Sequence, residues 1–200
     1  NKSYLTIIGS SAGQYSGGNS VHMGRLAGRY MGGIHNVSIG YWAGGANTNS
    51  PGAGGGYNVF VGSLAGLSQT SGSSNAGIGN EALEALTTGA ANVALGSQAG
   101  HAINTGGSNT LLGKSAGSGI TTGTGNTMIG KSANQSAVDI TDGIVLKAGT
   151  DALAGGGTET IRIGVDSDFI VNDFGENATW THSSDRRIKK DIKDTNLGLE

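Results

Sequence analysis

The sequence predicts an all-β fold: a parallel β-solenoid (β-roll) with coils of about 17 residues, homotrimeric, followed by a β-rich neck. Glycine is unusually abundant and recurs at eight positions, of which the last five are equally spaced: Gly9, Gly24, Gly40, Gly62, Gly79, Gly96, Gly113 and Gly130. We call each of these the anchor glycine of a rung. Alanine always follows it by three positions, and an apolar residue always precedes it directly.

Each rung is expected to contain a short strand that ends at its anchor glycine. Apolar residues one and three positions before the glycine, several of them β-branched, predict a strand with one buried face. A glycine at a fixed corner predicts a positive φ angle, and the alanine suits the inside of a tight coil. Asparagine stands four positions before the anchor in six rungs and tolerates a corner, where it can bond its own backbone. Two strands and two turns would complete a coil.

The residue two positions before the anchor should then point away from the core. These residues are Ile7, His22, Ser38, Phe60, Gly77, Ala94, Leu111 and Met128. Half of them are large or distinctly apolar. We therefore expect a second or third copy of the chain to cover this face in a homo-oligomer. Scattered exposed apolar residues, which are normal on proteins, are the alternative.

A change in charge divides the chain. Residues 1–138 hold only two acidic residues against five basic ones, whereas residues 139–200 hold twelve acidic and seven basic residues. We expect a repeat domain over 1–138, a β-rich neck over 139–182 and a third segment over 183–200. In the neck, GIVLKAG, ETIRIG and DFIVNDFG are predicted strands, and TIRIG is interpreted as a degenerate ninth repeat.

The segments NSVHMG, NVSIG and NVALG resemble the repeat of trimeric autotransporter adhesin heads, Asn-(Ser)-Val-x-Ile-Gly. The resemblance covers residues 1–134 and implies left-handed parallel β-rolls, three chains side by side. This sequence departs from the motif where Leu5 and Ser20 replace the asparagine and where Leu83 and Asn134 replace the second glycine. Its repeats are also longer than is usual in that family.

Residues 182–194, HSSDRRIKKDIKD, resemble the start of the intramolecular chaperone and autoprotease domain found at the ends of phage tail spikes and fibres. The family pattern Ser-Asp-x-Arg-x-Lys is matched by Ser184, Asp185, Arg187 and Lys189. The resemblance implies a Ser–Lys dyad that cuts its own chain beside Ser184, with Lys189 as the base and the other two residues in support.

Five positions separate the serine from the lysine, which on a helix places their side chains about 140° apart. Either the chain bends between them or they come from different subunits. The simpler alternative is that Ser184 or Asp185 caps a helix. Only the first part of the domain lies in this chain, so we expect an incomplete protease and no metabolic activity.

Aromatic residues gather near the longest step of the repeat. Tyr41, Trp42 and Tyr57 flank or lie in the insertion GANTNSPGAGGGY, residues 45–57. Loops on a rigid scaffold often bind ligands, and exposed tyrosine and tryptophan stack on sugars and on protein partners. These three residues are the predicted receptor- or glycan-binding site. The alternative is that they hold subunits together or cap the roll.

Other sites are not expected. Glu81 and Glu84 are the only acids of the repeat region and do not make a convincing glycosidase pair. The histidines His22, His35, His101 and His182 show no metal-ligand spacing, and cysteine is absent. We therefore predict no metal and no cofactor, and neither nucleic-acid binding nor membrane insertion.

The sequence favours a segment of a phage tail fibre, located in the virion, that binds a host cell-surface glycan or receptor. It would mature by autocleavage of its chaperone. The alternative is the head of a trimeric adhesin on a bacterial cell surface. An ice-binding solenoid would need a regular threonine face, but Thr121, Thr122 and Thr127 do not recur at one offset. A polysaccharide depolymerase is disfavoured by the shortage of acids.

Overall fold

The structure is a computed structural model and describes residues 4–45, 55–134, 138–148, 160–165, 168–173 and 177–183. These residues contain no helix. They form twelve strands that lie in one sheet in chain order: β1 (Leu5–Ile8), β2 (Ser20–Met23), β3 (Val37–Ile39), β4 (Val59–Val61), β5 (Ala76–Ile78), β6 (Val93–Leu95), β7 (Thr110–Leu112), β8 (Thr127–Ile129), β9 (Ile144–Ala148), β10 (Thr160–Val165), β11 (Asp168–Asp173) and β12 (Asn177–Ser183).

The strands β1 to β10 are parallel neighbours, each pairing with the next at the same offset in its rung. The predicted parallel β-solenoid, with its coils of the expected length, is therefore confirmed. Strands β11 and β12 pair antiparallel and end the sheet, and β12 was not predicted.

Each described coil of the repeat contains one strand, not the two expected. Turns form the rest of the coil, and their amides bond the next coil instead of a second strand. The Gly100 amide donates to the Ala116 carbonyl at 2.8 Å, and the Thr87 amide donates to the Asn104 carbonyl at 2.9 Å.

The anchor glycines adopt φ angles of 119° to 140°, as the sequence predicted. Space forbids a side chain there as well, because consecutive anchors stack directly on one another. A β-carbon at Gly96 would lie 2.5 Å from the carbonyl oxygen of Gly113. Glycine is thus fixed both by its backbone angle and by the approach of the next rung.

The interior contradicts the predicted assignment of strand faces. The residue two positions before each anchor points into the coil: Phe60, Leu111 and Met128 are fully buried. The apolar residue directly before the anchor is the exposed one, with 50% exposure at Leu95 and 40% at Ile129. A narrow coil has room for one strand side chain per rung, and alternation sends both flanking residues outwards.

The alanine after the anchor and an apolar residue on the opposite turn complete the interior. Leu86, Ile103 and Ile120 supply that second residue and are fully buried. Leu83 replaces the glycine that follows the alanine in most rungs, and the packing of the interior explains why. The inward strand residue of the same rung is Gly77, and the Leu83 side chain, 3.4 Å from where a β-carbon at Gly77 would lie, packs on that side of the interior.

The asparagines form a ladder along one corner: Asn36, Asn58, Asn75, Asn92, Asn109 and Asn126, all fully buried. The Asn92 side-chain oxygen accepts bonds from the backbone N and the Nδ2 of Asn109, at 3.1 and 2.9 Å. Its own Nδ2 donates to the Asn75 side chain at 3.1 Å and to the Gly106 carbonyl at 2.9 Å. In this part of the ladder the side chains join neighbouring rungs rather than bonding only their own backbone.

The repeat continues beyond residue 138 with its period unchanged. Strand β9 is the ninth rung, and its Leu146 pairs with Ile129 at the same offset of the eighth. TIRIG is the tenth rung rather than the ninth, because Ile163 pairs with Leu146. The inward position of the tenth rung is Arg162, which is 7% exposed, so the apolar core ends at Val145.

Candidate functional site

A stripe of apolar side chains runs along the outer face of β1 to β10. We call it the apolar ladder: the residues one and three positions before each anchor, from Thr6 to Ile163. Its positions hold no charge, and their only polar residues are three threonines. With strands about 4.8 Å apart, ten rungs make a stripe about 43 Å long.

The ladder is exposed in the single chain. The most exposed members range from 36% to 56%: Ile8, Met23, Ile39, Ile78, Val93, Leu95, Ile129 and Ile163. An apolar face of the kind expected for contacts between copies is thus present, but it is formed by these outward residues and not by the inward-pointing ones to which we had assigned it from the sequence.

Two of the three predicted binding residues lie together. The rings of Tyr41 and Trp42 meet edge to face with centroids 6.0 Å apart, and the Arg25 guanidinium lies 5.6 Å from the centre of the Tyr41 ring. Tyr41 is 42% exposed. Both residues follow β3, and Trp42 has a positive φ, so this corner presents an aromatic pair beside a cation.

Tyr57 lies at the other end of the strands, because it precedes β4 whereas Tyr41 follows the parallel strand β3. It is 61% exposed and stacks on His35 of the preceding rung, with ring centroids 5.0 Å apart. The structure therefore separates the predicted site into two aromatic corners. Residues 46–54 of the predicted loop lie outside the described residues.

The residues of the predicted protease, Ser184, Asp185, Arg187 and Lys189, also lie outside the described residues. Their roles remain predictions that depend on the sequence motif.

A further cluster joins Glu81, Glu84 and His101, whose ligand atoms all lie within 4.8 Å of one another. Nε2 of His101 is 2.9 Å from a carboxylate oxygen of Glu84. The positions of Glu81 and Glu84 within their own repeat do not reveal this cluster. The period of the repeat does, because Glu84 and His101 are five positions after successive anchors and therefore stack.

His22 shows a different environment, because its ring lies wholly inside the roll. Its Nε2 is 2.6 Å from the Ser16 hydroxyl, whereas its Nδ1 has no hydrogen-bond partner. Burial lowers the pKa of His22 to about 4, because the charged ring would lose its water. No carboxylate takes part in this described pair, so we assign it to packing.

No family model, curated protein or solved structure matches this chain. Within the described ranges there is also no helix long and apolar enough to cross a membrane.

Proposed function

We propose that this chain is a rigid segment of a homotrimeric attachment fibre and that its work is adhesion rather than metabolism. The observation that supports the proposal most strongly is the uncharged apolar ladder along β1 to β10. Large contiguous apolar patches are uncommon on monomers and mark interaction surfaces. A stripe of this length calls for an equally long partner.

A second copy of the chain is the occupant that fits best. A partner has to offer apolar side chains over about 43 Å with the strand repeat of about 4.8 Å. The ladder of another copy meets both requirements because it is the same surface. Three ladders around one axis would each cover the other two in a closed cyclic assembly. The resemblance to trimeric adhesin heads favours three copies over two.

The outward corners are the surfaces that would remain free for a receptor in such a trimer. Stacked rungs contact only their neighbours and build a continuous scaffold, while the side chains at the corners vary. The Tyr41–Trp42 pair beside Arg25 combines ring faces with a cation. Such a group suits a sugar face with an acidic substituent. We assign host-glycan contact to this corner.

Maturation by self-cleavage is the second part of the proposal. The Ser-Asp-x-Arg-x-Lys motif follows a β-rich fibre, which is where the resembling domain occurs, and Ser184 would be the nucleophile. This part favours a phage tail fibre over a bacterial surface adhesin. Intact-mass measurements of the parent protein that find no cut near Ser184, or the same cut in Ser184→Ala, would remove it.

The association state tests the main proposal. In sedimentation equilibrium, we expect the wild-type chain to have the mass of a trimer. The double variant Leu95→Lys/Ile129→Lys places two charges in the ladder without touching the interior, and it should have the mass of a monomer. Thr88→Lys, an exposed change away from the ladder, is the matched control and should stay trimeric. A monomeric wild type, or a trimeric ladder variant, would contradict the proposal.

A further inference from the structure

The cluster of Glu81, Glu84 and His101 has the form of a metal-binding site, built by stacking two rungs. Glu84 and His101 occupy the same offset in the Gly79 and Gly96 rungs, and their side chains meet at 2.9 Å. Glu81 comes from two positions after Gly79, on the same turn. All three ligand atoms lie within 4.8 Å of one another.

The backbone beneath the cluster is held by bonds between rungs. The Glu81 amide donates to the Ser63 carbonyl at 2.9 Å, and the Ala85 amide donates to the His101 carbonyl at 3.1 Å. The three side chains therefore project from fixed positions, and a ligand would need only side-chain rotation. Preorganisation of this kind lowers the free-energy cost of assembling a site.

A chain of polar side chains orients Glu81. Gln98 lies one rung away at the same offset, and its Nε2 donates to the Glu81 carboxylate at 2.8 Å. The Ser115 hydroxyl, one rung further, donates to the Gln98 side-chain oxygen at 3.5 Å. Hydrogen-bond partners that orient a metal ligand are typical of metal sites and raise the affinity of the site for its metal.

Among the residues that the structure describes, no lysine or arginine forms an ion pair with the two glutamates. Glu81 and Glu84 are the only acidic residues among the first 138, and both lie on this one turn. Within the described part of the chain their polar side-chain partners are His101 and Gln98, with no lysine or arginine ion pair. Two carboxylates held together beside an imidazole present negative charge that a divalent cation would neutralise.

We propose that Glu81, Glu84 and His101 bind one Zn²⁺ ion, with a water molecule as the fourth ligand. One imidazole nitrogen and two carboxylate oxygens form a mixed donor set of the kind that zinc accepts in tetrahedral geometry. Tetrahedral bonds of about 2.1 Å place ligand atoms about 3.4 Å apart, which small rotations reach from the present separations. Calcium requires six to eight oxygen ligands and is disfavoured by the histidine.

The ion would clamp two neighbouring rungs at their surface. His101 belongs to the Gly96 rung, and both glutamates belong to the Gly79 rung, so metal bonds would add to the backbone ladder. The cluster lies on the turn after the anchor glycines, whereas the ladder lies on the strands before them, so the two sites share no residue.

Isothermal titration calorimetry with zinc chloride tests the proposal on the full chain in chelator-treated buffer at pH 7.5. We expect one Zn²⁺ per chain at this site. The near-isosteric change Glu84→Gln and the change His101→Ala should each weaken binding at least tenfold. His35→Ala, which removes an exposed histidine from a corner without acids, is the matched control and should bind zinc as the wild type does.

Circular dichroism should show the same β spectrum for all variants, and Glu84→Gln is the variant least able to disturb folding. Excess Ca²⁺ should not displace the zinc. The proposal is overturned if the wild type takes up no zinc at millimolar concentration. It is equally overturned if Glu84→Gln and His101→Ala bind zinc as tightly as the wild type, which would place the ion elsewhere.

Discussion

Two parts of the roll share one backbone conformation but have different interiors. In the N-terminal part, residues 4–45, the anchors follow one another more closely, and the inward positions include the buried polar residues His22 and Ser38. In the C-terminal part, residues 55–134, the step between anchors is constant and the inward positions are apolar or glycine. The anchor glycines have the same φ range in both parts.

This difference shows that the glycines at the corners determine the backbone of the coil. The interior requires only side chains that fill the available space. His22 fits because Gly28 faces it without a side chain, and Leu111 fits because Gly117 does the same. The polar interior is stabilised by local bonds, such as that from the Ser38 hydroxyl to the Met31 sulfur at 3.2 Å. The apolar cluster begins at Met31 and extends to Val145.

The asparagine ladder offers the largest test of this comparison. Asn92→Ala in the C-terminal part removes a side chain with four bonds and leaves buried partners without a donor or acceptor. We expect the free energy of unfolding in urea to fall by about 3 kcal/mol. Ser20→Ala at the same offset in the N-terminal part should cost about 1 kcal/mol, because Ser20 only accepts from the Asn36 amide and donates to the Gly18 carbonyl.

Asn80→Ala is the control, since Asn80 is exposed and its side chain makes one bond, of 3.3 Å, to the Ser63 carbonyl. It should change stability by less than about 0.5 kcal/mol. Equal losses for Asn92→Ala and Ser20→Ala would mean that the ladder is not stronger in the regular part.

The backbone was the part of the fold that could be predicted from the sequence. Glycine at a strongly positive φ and alanine inside a turn leave few alternatives, so their recurrence reveals the coil directly. The orientation of the strands could not be read in this way. Alternating Val37 and Ile39 look like core residues, but a coil this narrow buries Ser38 between them and leaves both partly exposed.

The candidate sites can be predicted from the sequence only by comparing residues that are one repeat apart. One step of the repeat joins Glu84 to His101, so their proximity is visible only when successive repeats are aligned. Tyr41 and Tyr57 are near in sequence but lie at opposite ends of neighbouring strands, because strand direction, rather than chain distance, decides which residues meet. The TIRIG segment was likewise counted as the ninth repeat, although it is the tenth. The ninth rung has Lys147 in place of the anchor glycine and therefore does not show the pattern.

The smaller test concerns pH and the polar interior of the N-terminal part. Burial lowers the pKa of His22 to about 4, below its ordinary value of about 6.5. Above pH 6.5 the ring is neutral whether the chain is folded or unfolded, and stability is complete. As pH falls below 6.5 the unfolded chain binds a proton that the folded chain excludes, so the free energy of unfolding decreases. At pH 5 we expect a loss of about 2 kcal/mol from this group.

Hydrogen exchange at pH 7 and pH 5, corrected for the intrinsic rates, locates the effect. Peptides from residues 13–40 should lose protection at the lower pH, whereas peptides from residues 90–120 should change less, because rungs stabilise mainly their neighbours. His22→Leu should abolish the difference between the two regions. Met31→Leu, a change in the same core that adds no titrating group, should retain it. If His22→Leu leaves the pH dependence of residues 13–40 intact, another group controls the N-terminal part and its polar interior is not the source of the difference.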